Sequence, residues 1–267
     1  MKRFGLIGHP VAGSFSPKLF EAAYGGRYPY DLIEGAEFGA SWQRFLDEYD
    51  GINITAPFKE FAFRAVDALS DDARLCGAVN LAVKTPSGIV GYNTDVAGVV
   101  LAVREALAGL ASPDPQPVIP GSPDKQPVIP GLTGNLLKEA LVVGCGGAGR
   151  AAAVAALRLG CRVTLANRTP SRATALAEEL GCDWIPVDDL PALSPDLVIY
   201  TVPGPMDGCP EFPEAIILEA NYRTPCLEGR GRAYISGRRW LLFQAVAGYG
   251  IFTGETPDAD AMFRIFC

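Results

Sequence analysis

Apolar residues fall in two rhythms along this chain. Short unbroken runs alternate with longer stretches in which they recur every third or fourth position, the pattern of strands buried on both faces and of helices covering them. The runs predict strands at 3–7, 51–54, 81–84, 140–143, 162–166, 197–201 and 215–219. The longer rhythm predicts helices at 16–24, 42–48, 95–108, 149–159, 170–180 and 240–248, the last followed by a short tail. Strands and helices alternating in this order define an α/β fold.

One segment breaks both rhythms. Residues 112–121 read SPDPQPVIPG and 122–131 read SPDKQPVIPG, a tandem copy whose single difference is Pro115 against Lys125. Each proline removes a backbone donor, which excludes helix and central sheet. The segment is expected to be an extended surface excursion, and a partner-binding proline motif is the sharper alternative.

Composition narrows the chemistry. At 267 residues the chain holds one large or two modest domains, and 49% hydrophobic with 20% charged residues is a globular balance. A net charge of −7 argues against nucleic acid or an anionic membrane as the main partner. The single histidine, His9, leaves no set for a His-rich metal site. Seven cysteines without a C-x-x-C pair read as reduced thiols of a cytoplasmic protein. The apolar run after Met1-Lys2-Arg3 stops at Gly8-His9-Pro10, too short for a secretory core. The stretch 140–157 is broken by Arg150 and too rich in glycine to span a bilayer.

Two regions carry candidate chemistry. Gly144-Cys-Gly146-Gly147-Ala148-Gly149 follows an apolar strand and opens an alanine-rich helix, the context a G-x-G-x-x-G dinucleotide turn requires. The helix start would present N–H groups to a pyrophosphate. The next strand ends at Asn167-Arg168-Thr169, with Arg172 beyond. No acid stands there for a ribose 2′-hydroxyl, whereas Arg168 suits a 2′-phosphate, so NADP(H) is the expected coenzyme. In the first hundred residues, Ser14 and Ser16 flank a helix start, where they can hold a carboxylate or cap the helix. Asn53 and Thr55 share one face at the end of a strand with Lys59 just beyond, and Asn80 and Asn93-Thr94-Asp95 end further strand-like segments. Polar groups so placed beside a dinucleotide unit suit a hydroxylated small molecule.

The ordered series GHPVAGSFSP, NITAPFK, GAVN, NTD, GCGGAG, NRT and a late helical Gln resembles the shikimate dehydrogenase family, the NADP-dependent shikimate 5-dehydrogenases. The likeness covers roughly 4–109, 139–173 and 237–248 and is weak over 174–236. It implies an N-terminal α/β substrate domain (1–106 with 239–267), a proline-rich insertion or linker (107–135), a Rossmann-type NADP domain (136–238), and an active-site cleft between the domains. It further implies a cytoplasmic monomer or homodimer acting on shikimate and 3-dehydroshikimate, with no nucleic acid, membrane or metal.

Residue by residue, the resemblance makes Lys59 and Asp95 the catalytic pair. Ser14 and Ser16, with Tyr222 near them, would meet the substrate carboxylate, and Thr55, Asn80, Asp95 and Gln244, together with Lys59, its ring hydroxyls. Val202 and Trp240 would join the glycine turn, Asn167, Arg168, Thr169 and Arg172 around the coenzyme. This chain departs from the family pattern at His9, Gly13, Leu81, the segment Tyr200-Thr-Val-Pro203, and Trp240, where a Met is common. Oxidising an alcohol needs a base at the hydroxyl proton as the hydride leaves. The residues leave open whether Lys59 is that base or a charged donor beside Asp95. Two rival functions also stay open: a quinate/shikimate dehydrogenase of broader specificity, and a non-catalytic NADP-binding sensor.

Overall fold

The computed structural model describes residues 1–111, 137–206 and 209–266. Its elements begin with β1 (Phe4–Gly8), α1 (Ser16–Tyr24), β2 (Tyr30–Glu34), α2 (Phe38–Glu48), β3 (Gly51–Ile54), α3 (Lys59–Ala65), β4 (Ala68–Leu69), α4 (Asp71–Cys76), β5 (Leu81–Thr85), β6 (Gly88–Tyr92) and α5 (Thr94–Ala111). They continue with β7 (Glu139–Val143), α6 (Gly147–Arg158), β8 (Arg162–Ala166), α7 (Pro170–Leu180), β9 (Asp183–Ile185), β10 (Leu197–Tyr200), β11 (Phe212–Glu219), β12 (Gly231–Ser236), α8 (Gly237–Thr253) and α9 (Ala259–Phe263). The chain forms two compact units. One combines Met1–Thr94 with 244–266; the other combines 95–111 with 137–243. The divisions fall within α5 and α8.

The first unit is a mixed sheet in the order β2-β1-β3-β5-β6-β4. Strand β1 pairs in parallel with β2 and β3, whereas β5 runs antiparallel to both β3 and β6. This arrangement gathers polar loops on one edge. The turns after β1 and β3 leave that edge because the two strands are parallel. Asn80 enters β5 there, opposite the end of β3, and its carbonyl accepts the Ile54 amide at 2.8 Å. The residues after β6 leave it again, since Leu81 pairs with Tyr92. Ligand sites of α/β sheets form at such carboxyl ends.

The C-terminal half of α8 belongs to this unit for reasons of packing. Phe252 stacks on Phe4 with ring centroids 4.8 Å apart, and Tyr249 meets Phe20 edge-on at 4.7 Å. Gly51 is glycine because a Cβ there would stand 2.7 Å from the Phe252 ring. The Tyr24 hydroxyl donates to the Tyr249 carbonyl at 2.9 Å and lies within hydrogen-bond distance of Thr253 Oγ1 at 2.8 Å, tying α1 to α8.

The second unit is wholly parallel, in the order β12-β11-β10-β7-β8-β9. Counted within the unit this is 6-5-4-1-2-3, the doubly wound dinucleotide-binding order, whose direction reverses between β7 and β10. Its strands are buried apolar runs such as Leu141-Val-Val143 and Leu197-Val-Ile-Tyr200. The run Ala151–Ala156 of α6 is buried as well, its small side chains allowing the helix to sit close on the sheet.

Several elements exceed the sequence expectation. Strands β2, β4, β6, β9 and β12 and helices α3, α4 and α9 are short or only half buried, so no long apolar rhythm announces them. Helix α8 starts at Gly237 and runs to Thr253, longer than the 240–248 pattern, and the tail folds into α9. Residues 107–111, expected in the linker, are the last turn of α5. The rest of that segment, the tandem repeat included, lies outside the described residues. No described helix is long and apolar enough to cross a membrane.

Candidate active site

In the first unit the two serines sit at the mouth of α1. Ser14 Oγ accepts the Ser16 amide at 3.2 Å and donates to Ser16 Oγ at 3.1 Å. The N-cap position is Phe15, which supplies no side-chain bond. Tyr249 fixes this turn from behind, its hydroxyl donating to the Ser16 carbonyl at 3.0 Å. Burial raises the Tyr249 phenol above its usual range and keeps it a donor.

A second cluster joins Asn80, Thr94 and Gln244. Asn80, 4% exposed, accepts the Thr94 amide on Oδ1 at 2.8 Å and donates from Nδ2 to Thr94 Oγ1 at 3.2 Å. The Thr94 hydroxyl donates to Gln244 Oε1 at 3.1 Å across 150 residues of sequence. This bond engages the Gln244 side-chain oxygen and leaves the amide NH2 as the group's donor end. Lys59 opens α3, and its carbonyl accepts the Val79 amide at 3.0 Å, which seats it beside the Asn80 loop. Thr55, partly exposed, is held through its amide to the Ile7 carbonyl at 3.0 Å. Asn53 is a strut: Oδ1 accepts the Tyr30 hydroxyl at 2.8 Å and Nδ2 donates to the Asn80 carbonyl at 3.3 Å. The sheet edge thus collects Ser14, Ser16, Thr55, Lys59, Asn80 and Gln244. His9 is half exposed with Nδ1 3.5 Å from Glu34.

The remaining expected residues belong to the second unit. Gly144, directly after β7, has φ of +101°, and a Cβ there would collide with Thr201 Oγ1. A Cβ on Gly149 would collide with the Gly144 carbonyl, so only glycine lets α6 start this close to the strand. Gly146 and Gly147 instead face open space where a Cβ would stand, and both are exposed with Ala148 at the start of α6. This cradle of free amides fits a pyrophosphate.

Asn167 is the bracket of the loop, its Oδ1 accepting the Cys145 amide at 3.2 Å and its Nδ2 donating to the Thr169 carbonyl at 3.0 Å. Arg168, Thr169 and Arg172 are exposed beyond it. Burial pushes the Cys145 thiol up to about 11, so it is a packing thiol and no nucleophile near neutrality. Asp95 lies in the first turn of α5, and the Trp240 indole donates to its backbone carbonyl at 2.9 Å. Val202 follows β10, and Tyr222 occupies the loop after β11.

Sequence reasoning passed over the residue that holds this last loop. Glu219, fully buried at the end of β11, accepts the Cys226 amide at 2.8 Å, the Leu227 amide at 3.1 Å and the Tyr234 hydroxyl at 3.0 Å. Asn221 pins the start of the loop, donating to the Pro203 carbonyl at 2.9 Å. Tyr222 is carried between these two anchors. The available signal was an acid closing an otherwise apolar strand, Ala215-Ile-Ile-Leu-Glu219.

A doubly wound parallel sheet with a glycine cradle, and a mixed sheet whose edge collects hydroxyl, amide and amine groups, define the class: an α/β oxidoreductase with separate coenzyme and substrate units. Comparison with known proteins specifies the family. Residues 6–82 match the model of the shikimate dehydrogenase substrate binding domain. The chain is 35% identical over 283 residues to shikimate dehydrogenase (NADP(+)) of Acidiphilium cryptum, covering 97% of this chain and 94% of that protein. Among solved structures it resembles shikimate 5-dehydrogenase of Thermus thermophilus in complex with NADP(H) and shikimate, with TM-score 0.80, 29% identity and coverage of 99% and 98%. It also resembles quinate dehydrogenase of Corynebacterium glutamicum in complex with NAD, with TM-score 0.78, 25% identity and the same coverage. The chain belongs to the shikimate dehydrogenase family.

Proposed function

We propose that this protein catalyses the reversible NADP-dependent reduction of 3-dehydroshikimate to shikimate, in the cytoplasm, as a step toward chorismate and the aromatic amino acids. The observation that carries the reading is the collection of Ser14, Ser16, Thr55, Lys59, Asn80 and Gln244 on one sheet edge, in a chain that matches dehydrogenases of this name along nearly its whole length. The substrate domain, 1–106 with 239–267, has its core in the first compact unit and the coenzyme domain, 136–238, in the second, while the helical ends 95–106 and 239–243 cluster with the second.

The cradle at Gly144–Gly149 fits the pyrophosphate of a dinucleotide, and Arg168 with Arg172 supplies charge for a 2′-phosphate. NADPH, when bound, supplies the hydride. Ser14 and Ser16 hold the substrate carboxylate by hydroxyl donation, with Tyr222 as a third donor. Thr55, Asn80 and Gln244 hold the ring hydroxyls, Gln244 as a donor because Thr94 occupies its oxygen. Lys59 exchanges the proton at the reacting oxygen while Asp95 binds the substrate and orients that exchange. Val202 and Trp240 border the coenzyme.

Incubation with 3-dehydroshikimate and NADPH tests the proposal: shikimate should form in step with NADPH loss. Lys59→Ala should lower kcat at least about a hundredfold, with a smaller change in KM. A variant with near-normal kcat and raised KM alone would make Lys59 a binding residue.

A further inference from the structure

We infer that Trp240 is a positioning residue for Asp95, a proposal that rests on the reading of the site just given. Trp240 is 6% exposed, and a buried indole N–H, which can only donate, takes a hydrogen-bond partner. Its partner is the backbone carbonyl of Asp95 at 2.9 Å. Asp95 is the second residue of α5, so this bond seizes the turn from which the Asp95 side chain projects.

The preceding residue makes a second attachment to the same helix. Arg239 pairs with Glu105 at 2.7 Å, its guanidinium lying 5.9 Å from the Phe243 ring centroid. Ten residues separate Asp95 from Glu105, roughly 15 Å along the axis at 1.5 Å per residue. Two neighbouring side chains at the start of α8 therefore grip α5 at two separated points. One bond would leave the helix free to turn about it; two set its rotation, and with it the direction of Asp95.

Spacing along α8 extends the same logic. Gln244 follows Trp240 by four residues, about one helical turn, and it takes the hydroxyl of Thr94, the residue before Asp95. Consecutive residues at the start of α5 are thus read by consecutive turns of α8. One of these contacts orients a substrate-binding amide and the other a catalytic carboxylate. A side chain of similar bulk without a donor would fill the space at 240 and lose the second of these functions.

Trp240→Phe removes the donor and keeps an aromatic ring. Its kcat should fall roughly ten- to hundredfold, the scale of a small displacement of a catalytic group, with any rise in KM for NADP(H) smaller than the fall in kcat. In an Asp95→Asn background the same substitution should change kcat by less than about twofold, because the group it positions is already disabled. Equal losses in both backgrounds, or a raised KM for NADP(H) with kcat retained, would overturn the inference.

Exchange of the Trp240 indole proton in the wild-type protein reads the anchor without turnover or folding of a variant. It should be slowed at least about a hundredfold relative to free indole, and exchange at the free rate overturns the inference. A wild-type protein inactive toward shikimate with NADP⁺ would overturn the reading of the site, and the exchange rate would still decide whether Trp240 holds Asp95.

Discussion

Replacing Glu219 with glutamine removes a negative charge from a position without solvent exposure and leaves the side-chain volume nearly unchanged. The carboxylate accepts the Cys226 and Leu227 amides, the Tyr234 hydroxyl and the Cys226 thiol at 2.8, 3.1, 3.0 and 3.2 Å. The glutamine oxygen can keep Leu227 and Tyr234. Its NH2 group then takes the place of the oxygen that accepts the Cys226 amide at 2.8 Å, where donor meets donor, and leaves that amide only its longer 3.1 Å contact to the retained oxygen. One charge-assisted bond lost and the others weakened amount to about 3 kcal/mol. At roughly 2–4 °C per kcal/mol for a protein of this size, Tm should fall by about 6–12 °C. Scanning calorimetry reads this directly. A second readout is chemical: burial and the Glu219 bond together push the Cys226 thiol up to about 11. Glu219→Gln should therefore lower that value and speed alkylation of Cys226 at pH 8. A Tm within about 2 °C of wild type, with Cys226 labelling unchanged, would refute the anchor.

Three further outcomes are expected. Arg168→Ala should raise KM for NADP(H) roughly ten- to hundredfold, as the loss of a charge-assisted phosphate contact does, and leave KM for NAD within about twofold in steady-state kinetics. Cys145, with its thiol near 11, should carry about one thiolate in a thousand at pH 8 and react with iodoacetamide correspondingly slowly, the rate climbing about tenfold per pH unit toward 11 when followed by mass spectrometry. The Tyr24 phenol is raised to about 12 by burial; since its folded value exceeds the usual 10, its contribution of about 2–3 kcal/mol is intact below pH 10 and is lost as pH rises through 12. Tyr24→Phe should flatten that alkaline limb in urea unfolding curves while lowering stability at neutral pH.

What the sequence displayed follows from where each element lies. Buried parallel strands such as Leu197–Tyr200 are continuous apolar runs, and the glycines of the coenzyme turn are dictated by a positive φ at 144 and a backbone collision at 149. Both are properties of a few adjacent residues, so both were legible. Strand β2 is half exposed, and β6 is a five-residue, mostly half-buried segment with glycines at 88 and 91, so neither rhythm marks them. The site residues were recognisable by type and order, but their geometry was not. Thr94 orienting Gln244 depends on a pairing across 150 positions. Likewise Asn53, which reads as a ligand-facing amide in NITAPFK, has both ends taken by Tyr30 and Asn80. Glu219 stayed hidden because a buried acid is intelligible only once its donors are in place.

The most direct test of the proposed activity is formation of the reduced coenzyme, NADPH or NADH, followed by near-ultraviolet absorbance, with shikimate and quinate each offered with NADP⁺ and with NAD⁺. The residues after β8, with Arg168 and no acid at 167–169, predict a kcat/KM with NADP⁺ at least about tenfold above that with NAD⁺, and the proposed function predicts shikimate as the acid turned over. Comparable turnover of quinate or with NAD⁺ would contradict the assigned specificity, and binding of NADPH without turnover of either acid would contradict catalysis itself.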